Sequence, residues 1–155
     1  MTGSVDKKLS ELGVTLPVPA APIANYVGCV RTGNLVMVSG QLCFGADGKL
    51  VAAGKLGSEV TVEQGQAAAR ACAINLLGQL KAELGDLDKV TRVVRLGGFI
   101  NAGPDFSDGP KMMNGASDLM VAVFGDKGRH ARTTVGVAAL PLNAAIEVEG
   151  LFEVA

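Results

Sequence analysis

Residues 61–100 read TVEQGQAAARACAINLLGQLKAELGDLDKVTRVVRLGGFI, a long helix followed by a long strand, and this stretch decides the fold class. Thr61-Val62-Glu63-Gln64 has the spacing of a capping box. In that motif the Thr hydroxyl and the Gln amide reciprocally satisfy backbone N–H groups that a helix start leaves free. Ala67, Ala71, Ile74, Leu77 and Leu80 recur at helical spacing up to Leu84, and Gly85 supplies the stop. Val90–Ile100 then reads as a strand.

The pattern repeats toward the C-terminus. Pro110 is a good first-turn residue, and Met112, Ala116, Leu119, Met120 and Val123 form an apolar stripe that ends at Phe124 before Gly125. Two more strands follow, Arg132–Ala139 and Ala145–Val154, joined at Leu140–Asn143. Toward the N-terminus, Asn25–Val30 and Leu35–Ser39 flank a Thr32-Gly33-Asn34 turn, which predicts a hairpin. Asp47-Gly48 between Gln41–Phe44 and Lys49–Ala52 predicts a second. Lys7–Leu12 makes a short helix ended by Gly13, and Leu16–Pro22 is a proline-spaced extended arm. The order of three short strands, helix, strand, helix and two strands predicts an α+β domain: a mixed sheet with two helices on one face. The other face then needs cover from other subunits.

The chain of 155 residues fits a single domain, residues 1–155, with a core large enough to need no metal or disulfide staple. Fourteen Lys and Arg against fifteen Asp and Glu, with no Trp and one Tyr, argue against a nucleic-acid partner: bulk positive charge and stacking platforms are both missing. The mean hydropathy of +0.34 is high for so few charges, which points to an apolar subunit interface. Pro17, Pro19 and Pro22 break the charge-free stretch Leu12–Val30, so no membrane span is expected there. Asp6, Lys7, Lys8 and Glu11 stand where a signal peptide needs an apolar core, so a soluble, cytoplasmic protein is expected. Cys29, Cys43 and Cys72 form no CxxC or CxxH pattern and read as free thiols, the last two as small core residues. The lone His130, read as loop surface, and the lack of GxSxG, GxGxxG and Walker patterns predict no metal, no nucleotide cofactor and no His-centred triad.

One pair of strands carries possible chemistry. By alternation His130, Arg132, Thr134 and Gly136 share a face, as do Glu147, Glu149, Leu151 and Glu153. If the two strands pair with an even connection, Arg132 and Glu149 become near-diagonal neighbours roughly 7–8 Å apart; a slip of one residue removes the pairing. Such a pair fits a solvated cross-strand contact, the expected state of Glu147 and Glu153 as well. It also fits a site in which the Arg fork grips a planar carboxylate and the Glu orients a water or moves a proton.

These residues carry a resemblance. Ala131-Arg132-Thr133-Thr134-Val135-Gly136-Val137-Ala138-Ala139-Leu140-Pro141 followed by Ile146-Glu147-Val148-Glu149 is similar to the C-terminal signature of the RidA/YjgF family of enamine/imine deaminases, also known as L-PSP endoribonucleases. Asn25-Tyr26-Val27, Val38-Ser39-Gly40-Gln41 and Asn114 match in the same order, from about Pro22 to the end. The resemblance implies a chorismate-mutase-like α+β fold and a homotrimer whose sheets line an interior barrel, with sites in clefts between subunits. It implies that Arg132 binds the substrate carboxylate, that Glu149 holds a water, and that Tyr26, Ser39 and Asn114 line the cleft. Thr134 stands where deaminating members commonly carry Cys, and the N-terminal extension Met1–Ala21 is longer than in typical members. The leading expectation is metal-independent hydrolysis of 2-imino or enamine acids to 2-oxo acids and ammonia. A non-catalytic trimeric binder of small carboxylates is the alternative, and an endoribonuclease a further one.

Overall fold

The computed structural model describes residues 3–22 and 24–155. Met1 and Thr2, where the expected extension Met1–Ala21 begins, lie outside the described residues, as does Ile23. The elements are α1 (Ser4–Glu11), β1 (Cys29–Thr32), β2 (Leu35–Leu42), α2 (Val62–Leu84), β3 (Val90–Asn101), α3 (Gly109–Phe124), β4 (Ala131–Val137) and β5 (Ile146–Val154). The chain has the expected α+β architecture, a mixed five-stranded sheet in the order β1-β2-β5-β3-β4 with α2 and α3 packed against it.

Local chemistry explains the elements. The capping box forms: Gln64 N donates to Thr61 Oγ1 (3.2 Å) and Thr61 N to Gln64 Oε1 (2.9 Å). Gly85, at φ 75°, ends α2 in the left-handed region. The stripe of α3 is buried as expected, joined by Met113. The stripe of α2 is not the expected line: Ala67 is exposed and Ile74 half-buried, whereas Ala68, Ala69, Cys72, Leu76, Leu77 and Leu80 are buried. Because α2 packs against α3 as well as the sheet, its apolar arc is broader than a single-partner stripe. Helix α1 lacks a local side-chain cap. Asp88 caps it from 84 residues away, its carboxylate accepting from Ser4 N and Val5 N at 2.8 Å each. Those two N–H donors hold the Asp88 carboxyl below its ordinary pKa.

The first hairpin forms around Gly33 (φ 60°) and Asn34, with Thr32 opposite Leu35. The second expected hairpin is reduced to its turn. Gly45 N and Val51 N donate to Lys49 O and Cys43 O, but only Phe44 and Leu50 make a β-bridge. The return leg leaves to meet a different segment, Ala52 O accepting from Ala145 N (3.1 Å). The larger correction concerns the last two strands. β4 and β5 are not neighbours: β3 lies between them, parallel to β4 and antiparallel to β5. The chain crosses the end of β3 through a 3-10 turn at Pro141–Asn143. That crossing is pinned by Asn101 Nδ2 donating to Asn143 Oδ1 (3.1 Å) and needs a left-handed Leu142 (φ 58°).

The sheet has two unlike faces. Ile146, Val148, Phe152 and Val154 of β5 are buried on the helix side, with Val36, Val38, Leu96 and Ile100. Glu147, Glu149, Leu151 and Glu153 alternate onto the opposite face, which α2 and α3 leave uncovered. Val30, Met37 and Val135 also lie there, at 55%, 45% and 44% exposure. Cys43 and Cys72 are fully buried and free. No helix of the described residues is long and apolar enough to cross a membrane.

Candidate active site

The expected site residues fall into two clusters. The first is at the β4 edge of the sheet. Arg132 stands opposite Leu96, a buried residue, and so points to the helix side, under α3. Its Nη1 donates to Asn114 Oδ1 (2.8 Å) and Ser117 Oγ (3.2 Å), and its Nη2 to Pro110 O (3.3 Å). Of the five guanidinium N–H donors, the Nε–H and one on Nη2 have no partner among the described residues. The end of the group is thus tied to α3 while two donors remain for a ligand. Thr134, two residues on, shares that face, and its buried Oγ1 makes no hydrogen bond. With Phe106, Pro110 and Gly136 it lines a small cavity of about 150 Å³.

The second cluster lies toward the other edge, around a bulge in β2. Val38 pairs with Gly150 and Gln41 with Val148, so Ser39 and Gly40 together face the single residue Glu149. Ser39 Oγ donates to Val27 O (2.6 Å), and Tyr26 is 59% exposed beside it. Tyr26, Ser39, Gln41 and Phe44 share a cleft of about 490 Å³ with the extended arm from Pro17 to Pro22, and among the described residues no charged side chain lines it. A larger groove of about 610 Å³, between the N-terminal segment and α2, contains none of the expected site residues. Glu149 accepts from Arg95 Nη1 (3.4 Å) on the uncovered face. Glu147 lies on the same face over the bulge: a Cβ on Gly40 would come within 2.7 Å of its Oε1. It is half-buried, not solvated as expected, and its carboxyl is pushed above the ordinary value by burial first and by the Glu149 charge second.

Arg132 and Glu149 therefore do not share a face within one chain. Leu96 of β3 pairs with Arg132 on one side and Gly150 on the other; Gly97 pairs with Thr133 and Glu149. Arg132 points to the helix side and Glu149 to the open side. The structure brings together Arg132, Asn114 and Thr134, and separately Tyr26, Ser39 and Glu149.

Two residues of the first cluster escaped the sequence reading. Ser117 lies three residues after Asn114, hence on the same helix face. His130 lies in the loop before β4, as expected, but is half-buried and engaged: its Nε2 is 2.9 Å from Ser117 Oγ and its Nδ1 is 2.6 Å from Gly128 O. The alternation that placed His130 on the face of Arg132 was the available signal. Among the described residues, no three His, Cys, Asp or Glu side chains converge to hold a metal ion.

Comparison with known proteins gives the family and the fold. The family described as "YjgF/chorismate mutase-like, putative endoribonuclease" matches residues 6–154. Protein TCP17 of Trypanosoma cruzi is 50% identical over 98% of this chain and 95% of its own length. A 2-iminobutanoate/2-iminopropanoate deaminase of Dermatophagoides farinae is 28% identical over 89% of this chain and 92% of its own. A crystal structure of a protein of unknown function from Agrobacterium tumefaciens superimposes with a TM-score of 0.91 at 46% identity, covering 98% of this chain and 93% of that one. Sequence signature, sheet order and family match coincide over almost the whole length, and the chain belongs to the RidA/YjgF family, with its chorismate-mutase-like fold.

Proposed function

We propose that this protein hydrolyses reactive 2-imino and enamine acids to 2-oxo acids and ammonia, at clefts between the subunits of a homotrimer. The observation that carries the reading is the guanidinium of Arg132, fixed at one end by α3 with two donors left over. That is the grip a planar carboxylate needs. The 28% identity to an imine deaminase supports the reaction class.

The two clusters lie toward opposite edges of the sheet, and β4 is an edge strand. Head-to-tail association closing into a ring sets the β4 edge of one protomer against the β1–β2 side of the next. It also covers the exposed Val30, Met37 and Val135. Arg132, Asn114 and Thr134 then face Tyr26, Ser39 and Glu149 of the neighbour. The carboxylate binds Arg132, and the imine carbon sits near a water held by Glu149. Water adds to the carbon of the protonated C=N bond and gives up a proton; the C–N bond of the carbinolamine then breaks, releasing ammonia and leaving the 2-oxo acid. The imine carbon is already electrophilic, so positioning supplies much of the needed help.

The test is turnover of imine generated freshly by an amino-acid oxidase, with wild type beside Glu149→Gln. Accelerated release of 2-oxo acid by the wild type is expected. Ligand binding by Arg132 without any turnover would replace the enzyme by a carboxylate binder.

A further inference from the structure

Arg132 is held by a chain of contacts that starts in the backbone. The 3-10 turn Gly125–Gly128 packs against the end of α3. At Gly128 a Cβ would lie 2.2 Å from Met120 O, so only glycine lets the turn approach this closely. The buried Gly128 turns its carbonyl to His130 Nδ1 (2.6 Å). A carbonyl oxygen only accepts, so Nδ1 carries the proton. On the other side of the ring, Nε2 meets Ser117 Oγ at 2.9 Å. In the neutral imidazole the hydroxyl donates to Nε2, which turns an oxygen lone pair to Arg132 Nη1 (3.2 Å). With the ring doubly protonated, Nε2 donates instead, and the hydroxyl oxygen stays fixed between ring and guanidinium.

We infer that Ser117 and His130 are positioning residues that hold the guanidinium of Arg132 with its two free donors turned to the substrate carboxylate. The inference rests on Arg132 as the carboxylate anchor of the proposed deaminase. Asn114 holds the same Nη1 from the other side, at an exposed position of α3. An Arg side chain loses considerable rotamer freedom when a ligand orders it. Here Ser117 and Asn114 bear that cost before the ligand arrives, which is the general route from preorganisation to affinity. The chain gives His130 a role through Ser117, at the wall of an open pocket of about 290 Å³ that Arg132 also borders.

The experiment titrates 2-oxobutanoate, a 2-oxo acid of the product class, into wild type, Ser117→Ala, His130→Ala and His130→Gln, and into Arg132→Lys with and without Ser117→Ala. Ser117→Ala and His130→Ala each weaken binding about five- to tenfold, the effect of losing one hydrogen bond from the chain. His130→Gln keeps an acceptor where Nε2 stood and recovers most of the loss. In the Arg132→Lys background, Ser117→Ala changes affinity less than about twofold, because the fork it orients is gone. An equal factor in both backgrounds, or no recovery with His130→Gln, overturns the inference. If wild type binds no 2-oxo acid, the deaminase reading fails on its own. The side-chain ¹⁵N spectrum of Arg132 then decides the positioning role. Slow guanidinium rotation in wild type that speeds up in Ser117→Ala upholds it, and unchanged rotation overturns it.

Discussion

The β4 edge and the β2 bulge are built on opposite plans. At β4, side chains from α3 and β4 tie one another down: Asn114, Ser117 and Pro110 O all engage Arg132, and His130 braces Ser117. At β2 a bulge opens the ladder, Tyr26 stands 59% exposed, and the cleft wall is an extended proline arm. One half is a preorganised charged anchor; the other is an uncharged receiving surface beside two carboxylates. Neither is a complete site. The anchor borders an open pocket of about 290 Å³ that holds none of Tyr26, Ser39 and Glu149, and the uncharged cleft holds no anchor; toward opposite edges of one sheet, the two make sense when one protomer supplies each to its neighbour.

The contrast can be broken at several points. The largest effect is expected at Glu149. Glu149→Gln lowers imine turnover by roughly 10²–10⁴ if the carboxylate moves a proton, with 2-oxo acid affinity nearly unchanged; comparison of turnover with calorimetric affinity checks both. Next comes the anchor. Arg132→Ala weakens 2-oxo acid binding about tenfold to a hundredfold, the loss of charge-assisted hydrogen bonds, and Arg132→Lys restores it only in part. Equal affinity of wild type and Arg132→Ala would remove the anchor from the account.

Smaller effects separate the scaffold from the site. Asp88→Ala removes the cap of α1 and lowers Tm by about 2–4 °C. The folded-state pKa of Asp88 is depressed, so its contribution is full at neutral pH and fades as pH falls through that depressed value. Thermal melts of both proteins across the acid range should therefore converge. Glu147 has the opposite sign. Its pKa is raised in the fold, so its ionised form costs stability that is absent below the ordinary carboxylate value and appears as pH rises through the folded one. Glu147→Gln raises Tm by no more than about 2 °C at neutral pH, and the gain disappears in acid. A gain that persists in acid would mean the carboxylate is not the cause.

Much of this was legible in the sequence because it was local. The capping box at Thr61, the apolar stripe of α3 and the turn at Gly33 each depend on residues within a few positions, and each formed. The failures were non-local. Nothing in residues 131–154 says that β3 slots between β4 and β5, since alternation fixes a strand's faces and not its neighbour. Hence the shared face that a direct, even-register pairing of these two strands would give Arg132 and Glu149 does not arise, and they lie on two. The same alternation correctly put His130 beside Arg132, but Ser117 links them only because α3 crosses β4, a tertiary fact. Glu147 looked solvated because its burial is set by the bulge at Gly40 on a distant strand.

The most direct test of a shared site is complementation between two inactive variants. Arg132→Ala and Glu149→Gln chains are co-expressed with different tags, and the mixed oligomers are purified through both. If Arg132 and Glu149 meet across a subunit boundary, interfaces pairing an intact Arg132 with an intact Glu149 form again. Every mixed trimer then holds one restored interface in three, and turnover returns to about a third of wild type per site. If each chain builds its site alone, every site lacks one of the two residues and the mixture stays as inactive as its parents. That result would contradict the account.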